Sequence, residues 1–391
     1  GVQPWSNGKV GLNGISYFGQ NQWQCAALQP KHLAAMIPWE AAADFYRDMA
    51  HHGGIFNRGF VQDWSKSQVY SVQNGRGTRG FRSRLTGDWV SGPETLTDEE
   101  LGANRRDFYT DCISHKLDTD EFWKSRMPDW SKVKTPFLSA ANWGGQGLHP
   151  RGNFEAFTRA AASQKWLEVH GIEHWTHFYT DYGVNLQKRF FAHFLKGEKN
   201  GWDQQPKVQL QVRHPERFEE RHENEWPLAR TQWTTWHLHG RTSQLLTAPA
   251  QSASTVAFEA MGDGASFMSP PFESTTEVTG PIVLKLWVSS TTEDMDILCT
   301  LRNIGPDGKD VWEVGQHGGP VPLTKGWLRA SHRKLDAAKS TPYRPFHPHN
   351  ERWWLEPGKP VGLIASTKAV PWANHASLIA QTISRHEQLA K

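Results

Sequence analysis

The stretch Gly8-Lys9-Val10-Gly11-Leu12-Asn13-Gly14-Ile15-Ser16-Tyr17-Phe18-Gly19 decides how the rest of the chain is read. A short apolar run ends in Gly-x-Ser, and Gln20 to Leu28 then has the texture of a helix. A strand, a tight turn carrying Ser and a helix form the setting of a nucleophile elbow, where a crowded turn lifts the hydroxyl clear of a sheet. Such a turn needs small residues two positions before and two after the Ser. Gly14 meets the first demand. Phe18 occupies the second position and Gly19 comes one residue late, so the strict pattern is only partly matched.

Working outward, 391 residues suffice for about two domains and a sizeable core. Hydrophobic content is 37% and charged content 21%, as in a soluble globular protein. The net charge of +3 comes with scattered Lys and Arg, which argues against a nucleic-acid partner. No apolar run approaches the roughly 18 residues of a membrane span, so no membrane association is expected. Cys25, Cys112 and Cys299 lie far apart and imply neither a disulfide framework nor a metal spacing. The N-terminus lacks a charged-then-apolar leader, which makes a cytoplasmic address the default. The 20 Trp are unusual, but composition does not say whether they line clefts or fill cores.

After the elbow, His32 to Pro38 reads as a buried strand and Ala41 to Met49 as a short helix. Two buried strands flanking a helix suggest a parallel βαβ unit. From Gly53 to about Trp130, Gly-rich turns such as Gly75-Arg76-Gly77 mix with polar helical stretches, including Thr97 to Thr110 and Thr119 to Trp130. That texture predicts a helical cap over residues 53–130. The βα alternation returns with a strand over Thr135 to Ala141, a helix over Gly152 to Ser163 and a strand over Lys165 to His170. A helix follows over Tyr182 to Phe194, ended by Gly197 as its C-cap. Past Trp202 the helices vanish. Pro206 to Arg213 alternates Val208, Leu210 and Val212, and further strands are expected over Gln232 to Leu238, Ile282 to Val288 and Ile297 to Ile304. The last is expected to pair with Val311-Trp312 across the turn Gly305-Pro306-Asp307-Gly308. The expected fold is an α/β domain with a parallel sheet and helical cap (1–202), followed by an all-β jelly-roll or sandwich domain (203–391).

An elbow serine needs a base to accept its proton and an acid to orient that base, with the base expected last in chain order. The loop His170-Gly171-Ile172-Glu173-His174-Trp175-Thr176-His177 offers three histidines in that place. His174, deepest in the loop, is the favoured base. The cluster could also be read as a metal site, but Gly171 interrupts any helix and no acidic or Cys ligand pattern accompanies it. The acid is harder to assign. The segment after strand 135–141, Asn142-Trp143-Gly144-Gly145, has no carboxylate before Glu155. Glu40, following the strand after the elbow helix, is the candidate; Asp44, Asp48 and Glu173 are less well placed. Outside catalysis, Glu40 would pair with an Arg such as Arg47. The backbone N–H of Tyr17 is the candidate oxyanion donor.

Jointly, several motifs resemble the cocaine esterase / X-Pro dipeptidyl-peptidase-like family of α/β hydrolases. Gly14-Ile15-Ser16-Tyr17-Phe18-Gly19 fits that family's Gly-x-Ser-Tyr-x-Gly elbow, which accounts for the late glycine. Ala43-Asp44-Phe45-Tyr46-Arg47, Leu186 to Phe191 with Phe194-Leu195-Lys196-Gly197, Thr279-Gly280-Pro281, Pro306-Asp307-Gly308 and Gly326 to Arg333 match further segments. The resemblance implies a cofactor-free serine hydrolase with a helical cap and a C-terminal jelly roll, cleaving ester or amide bonds through an acyl-enzyme. By position it makes Ser16 the nucleophile and His174 the base. The family's acid, an Asp in a Trp-x-Asp segment, falls near Trp143-Gly144-Gly145, where this chain has Gly. The early strands of the fold, and a Tyr that completes the oxyanion hole, are also missing, so the chain reads as N-terminally incomplete. Residues 362–391 read as polar and partly helical, where the family continues in strands. A small-molecule ester or peptide is the expected partner, with a homo-oligomer possible because missing strands would expose sheet edges. The alternative is an inactive fragment that binds through its jelly roll.

Overall fold

A computed structural model of the chain describes residues 1–70, 82–90, 97–104, 106–214, 217–366, 370–374 and 377–385. The turn expected at Gly75-Arg76-Gly77 lies outside the described residues, as do residues 386–391. Strand β1 (Val10–Ile15) leads through Ser16 into helix α1 (Tyr17–Ala27), and β2 (Leu33–Trp39) returns parallel to β1. A π-helical segment, Phe45–Ala50, and the small hairpin β3 (His51–His52) and β4 (Ile55–Phe56) follow. The region above the sheet carries short helices at Arg58–Trp64, Asp98–Asn104, Phe108–Ser114 and Glu121–Lys124. Strands β5 (Phe137–Asn142), β6 (Lys165–His170) and β7 (Val208–Arg213) continue the parallel sheet in the order β1-β2-β5-β6-β7. β7, read from its alternation as part of the β domain, thus belongs to this sheet. Its pattern misled because Gln209 and Gln211 are buried along with Val208, Leu210 and Val212. The antiparallel strand β8 (Phe218–Glu223) pairs with it.

Apolar side chains cover both faces of the sheet. Trp23, Met36, Trp130 and Phe137 pack with Ala156 of the helix Pro150–Arg159 and with Ala160 just after it. Opposite them, Ile37, Trp39, Leu138 and Trp166 meet Leu186 and Phe190 of the helix Asp181–Phe191. Trp23, Trp39, Trp123 and Trp202 are fully buried, so part of the tryptophan surplus is core. Gly197 ends the last turn at φ 74°, the left-handed cap that glycine adopts without strain.

The C-terminal half is built of strands β9 (His237–His239), β10 (Gln244–Leu246), β11 (Ala265–Met268), β12 (Thr276–Gly280), β13 (Val283–Val288) and β14 (Asp296–Ile304). It continues with β15 (Glu313–Val314), β16 (Pro320–Val321), β17 (Thr324–Arg329), β18 (Val361–Ser366), β19 (Val370–Asn374) and β20 (Ser377–Arg385). One sheet runs β17-β14-β20-β11-β10-β9, and the pair β13-β18 lies against it across Ile297, Cys299, Leu328, Leu363 and Ala365. The partly helical character expected of residues 362–391 is therefore wrong for 361–366, 370–374 and 377–385. β20 is the central strand, hydrogen-bonded on both sides by β11 and β14, and such pairing satisfies the backbone whatever the local polarity. β14 ends in the expected turn, where Val311 N donates to Asn303 O, but the partner segment forms an isolated bridge at Asp310 instead of a strand through Trp312.

One close approach sets the top of the sheet. A Cβ on Gly152 would lie 2.3 Å from Ala43 N and 2.6 Å from Ala41 O, both backbone atoms. Beside it, buried Asn153 accepts from Ala41 N and donates to Pro38 O and to Ser139 Oγ. Gly152→Val should force these elements apart and destabilise the fold by about 1–3 kcal/mol or more, the usual cost of overpacking. Urea unfolding followed by tryptophan fluorescence checks this; an unchanged midpoint would contradict the packing argument.

Candidate active site

The loops at the carboxyl ends of β1, β2, β5 and β6 converge on one region, as expected where parallel strands share a direction. Ser16 sits at φ 62° and ψ −123°, a strained conformation for a side chain-bearing residue. Its N–H donates to Trp39 O, and its carbonyl accepts from Gly19 and Gln20 at the start of α1. A Cβ on Gly14 would come within 2.6 Å of Phe18 Cβ, while one on Gly19 would meet Trp39 O at 2.9 Å. Gly14 therefore makes room for Phe18, and the late Gly19 is the residue that lets α1 pass the end of β2.

Glu40 follows β2 at φ 44° and is wholly buried. His174 Nδ1 donates to its Oε2 at 2.6 Å. His170 Nε2 and Asn142 Nδ2 donate to its Oε1 at 3.1 and 3.3 Å. Burial alone would raise the Glu40 pKa, but the bonds from His170 and then His174, with their charges, outweigh it and bring the group down to about 2. His170 Nδ1 in turn donates to Glu168 Oε2 at 2.8 Å, and Tyr182 OH to Glu168 Oε1 at 2.8 Å.

The Ser16 hydroxyl is hydrogen-bonded to His149 Nε2 at 3.0 Å. The His149 ring lies flat against that of His174, with centroids 4.6 Å apart and planes 4° from parallel. Of the residues proposed from sequence, Glu40 and His174 are thus directly joined. Ser16 is joined to His149 and, among the described residues, has no hydrogen bond to His174. His149 has no counterpart in the sequence reading. The available signal was its place, on the loop after β5 and immediately before Pro150 at the start of a helix.

The other candidates do different work. Asp44 pairs with Arg47 at 2.8 Å and caps the segment it opens, and Asp48 pairs with Arg151 at 2.9 Å. Arg47 reaches Asp44 and Asp118, not Glu40. Glu173 accepts from Thr176 Oγ1, and His177 Nδ1 lies 3.5 Å from Thr180 Oγ1. Trp143 points into the core and donates to Gln211 O. At Gly144 a Cβ would lie 2.4 Å from Val314 O, so the segment to which the resemblance assigns an Asp is pressed against the β domain.

Donor atoms of Glu40, His149 and His174 lie within 4.8 Å of one another, the set a metal would use. Parallel rings hold their nitrogen lone pairs in separate planes, and the Glu40–His174 pair is already closed by its hydrogen bond. As placed, the two rings do not direct their nitrogens to one point, and one of them is already engaged with the carboxylate. The Tyr17 and Phe18 rings, tilted by 35° with centroids 4.3 Å apart, lie beside Trp64 next to Ser16, and Trp175 lies between His174 and His317. All three of Tyr17, Phe18 and Trp175 are exposed. No helix among the described residues is long and apolar enough to cross a membrane.

Residues 1–179 match the X-Pro dipeptidyl-peptidase (S15 family), and residues 200–365 match the X-Pro dipeptidyl-peptidase C-terminal non-catalytic domain. Cocaine esterase of Rhodococcus sp. is 25% identical over 376 residues, covering 79% of this chain and 65% of its own. The crystal structure of a CocE/NonD family hydrolase from Staphylococcus aureus is 33% identical with a TM-score of 0.87, covering 98% of this chain and 65% of its own. An aminopeptidase from a marine sediment archaeon shares the fold at 16% identity and a TM-score of 0.68, covering 99% of this chain and 71% of its own. The chain thus spans just under two thirds of the length of the esterase and the staphylococcal hydrolase. The reading of an inactive binding fragment draws no support from these matches. With the parallel sheet, the elbow turn and the β domain in place, the chain belongs to the cocaine esterase / X-Pro dipeptidyl-peptidase-like family of α/β hydrolases.

Proposed function

We propose that the protein is a serine hydrolase that cleaves an ester or amide bond through an acyl-enzyme, with Ser16 as nucleophile, His174 as base and Glu40 as the acid that holds it. The observation that carries this reading is the 2.6 Å bond between His174 and buried, ionised Glu40, beside a serine on a strained strand-to-helix turn. Ser16 Oγ attacks the carbonyl carbon as its proton passes to His174 Nε2. The imidazolium formed there is stabilised by the Glu40 carboxylate. Negative charge developing on the carbonyl oxygen meets the N–H of Tyr17, the first residue of α1, where helix N–H groups have no partner within the helix. The leaving group takes the proton from His174, and water repeats the sequence to free the acid. The exposed Tyr17, Phe18 and Trp175 beside the site favour a substrate with an apolar group next to the scissile bond.

For this chemistry the Ser16 hydroxyl turns from His149 to the stacked His174. His174 is the better base because the imidazolium formed on it would sit against the Glu40 carboxylate, 2.6 Å away. A second reading makes His149 the base, because it is the imidazole within 3.0 Å of Ser16 Oγ.

A fluorophosphonate probe and a chromogenic ester series separate these readings. Ser16→Ala should abolish labelling, and His174→Gln should lower kcat/KM by about 10³-fold or more, whereas His149→Gln should cost about tenfold. The reverse order for the two histidines would transfer the base to His149, and undiminished labelling of Ser16→Ala would refute the hydrolase reading. Glu40→Gln should lower kcat by about 10²- to 10⁴-fold, because the imidazolium loses its counter-charge. It should also lower unfolding stability by about 1–3 kcal/mol, since His170 then faces an amide in a buried site. Steady-state kinetics and urea unfolding measure both.

A further inference from the structure

The mechanism above uses one oxygen of Glu40; the other belongs to His170, which no step requires. His170 is completely buried, and each of its ring nitrogens meets a carboxylate, Nδ1 at Glu168 (2.8 Å) and Nε2 at Glu40 (3.1 Å). An ionised carboxylate only accepts hydrogen bonds. With both carboxylates ionised, acceptors on both nitrogens require a proton on each, which makes the ring an imidazolium. We propose that His170 is a positioning residue for the hydrolysis, a fixed buried cation that keeps Glu40 charged and turned toward His174.

The charge balance gives the reason. Glu168 and Glu40 are two buried carboxylates that His170 bridges, and His170 offsets one of their charges. That leaves one net negative charge, which the imidazolium formed at His174 neutralises during the reaction. Without the His170 charge, the two carboxylates would repel across a dry interior, and Glu40 would take up a proton and lose its hold on His174. The titratable groups facing His170 from its surroundings fit this balance. They are Glu168 on its own strand, Glu40 after β2, His177 from the short helix that follows, and Tyr182 through its bond to Glu168, with His174 on the other oxygen of Glu40. Trp39 lies with its ring centroid 5.0 Å from that of His170, an aromatic neighbour suited to a cation. Burial opposes protonation of His170, but the charge of Glu168, its hydrogen bond and those from Glu40 push its pKa up to about 10.

This inference rests on the hydrolase reading for its kinetic consequence, but its charge state is testable separately. In ¹⁵N-histidine-labelled protein, one imidazole should remain protonated on both nitrogens at pH 8, and that signal should vanish in His170→Gln. Its absence from the wild-type spectrum overturns the proposal whether or not any variant folds. His170→Gln should lower kcat by roughly 10- to 100-fold with KM within about twofold, and move the acid limb of the kcat–pH profile to at least tenfold lower proton concentration. Glu168→Gln/His170→Gln, which removes the competing charge with the cation, should recover at least fivefold of that loss. A folded His170→Gln with the wild-type profile, or a double variant no better than the single one, rejects the positioning role. Loss of the hydrolase reading shows itself differently, as failure of Ser16 to label in the wild type. A folded-state pKa above that of an unfolded histidine also means that this contribution to stability is complete below about pH 6.5 and is lost as pH rises toward 10. His170→Gln should lack that alkaline slope in urea unfolding.

Discussion

One buried carboxylate constrains the whole top of the sheet. Moving a charge such as that of Glu40 out of water costs several kcal/mol even after relaxation, unless partners replace the lost solvent. Three donors do so: His174, His170 and Asn142. Their positions follow from the parallel order of β2, β5 and β6, whose carboxyl ends lie side by side. The backbone is braced to match. Glu40 N donates to Ala140 O at 2.6 Å, and Asn153 ties Pro38 and Ala41 on either side of it. A positive φ at Glu40 is a cost of roughly 1–2 kcal/mol that this brace has to meet.

Local patterns made much of this legible. Gly14 and Gly19 are steric statements about a turn, and the close contacts at both glycines show the constraint that the spacing reflected. The order of strands placed Glu40 and His174 as candidates, and the structure puts them 2.6 Å apart. His149 was not legible because its position depends on how far the loop 143–149 travels across the sheet, which no residue spacing encodes. β7 and β20 failed for a related reason. Whether a strand is central or peripheral is decided by its partners, so buried glutamines on β7 and a polar tail in β20 carried no usable signal.

The β domain is part of the scaffold beneath the candidate site. His174 N donates to Gln316 O, and Gln316 N donates to Gly144 O. The segment 314–316 therefore clamps both the loop that carries His174 and the one that leads to His149. Arg213, buried at the end of β7, reaches Glu313 at 3.1 Å, which ties the same segment to the parallel sheet. Separating the two halves would leave the histidine loop without its backbone partner, which is a physical reason for both to occur in one chain.

The strained loop after β6 follows from a buried carboxylate placed just after β2. Such a side chain must cross the end of β5 to reach a histidine that follows β6, and the longer reach of glutamate over aspartate suits that span. A carboxylate arriving sideways presents one oxygen to the histidine loop and the other to the end of β6 itself. The second oxygen would be buried without water. His170, the last residue of β6, meets it, and Asn142, the last of β5, supports it. For His170 and His174 to reach opposite oxygens of one carboxylate, the three residues between them must double back tightly. Gly171 packs so closely on Phe218 that a Cβ would come within 2.2 Å, and Ile172 is held at φ 61°. A β-branched residue in that region is a genuine outlier. The strain is the geometric consequence of two imidazoles sharing one acid, and it belongs to the same design as the carboxylate itself.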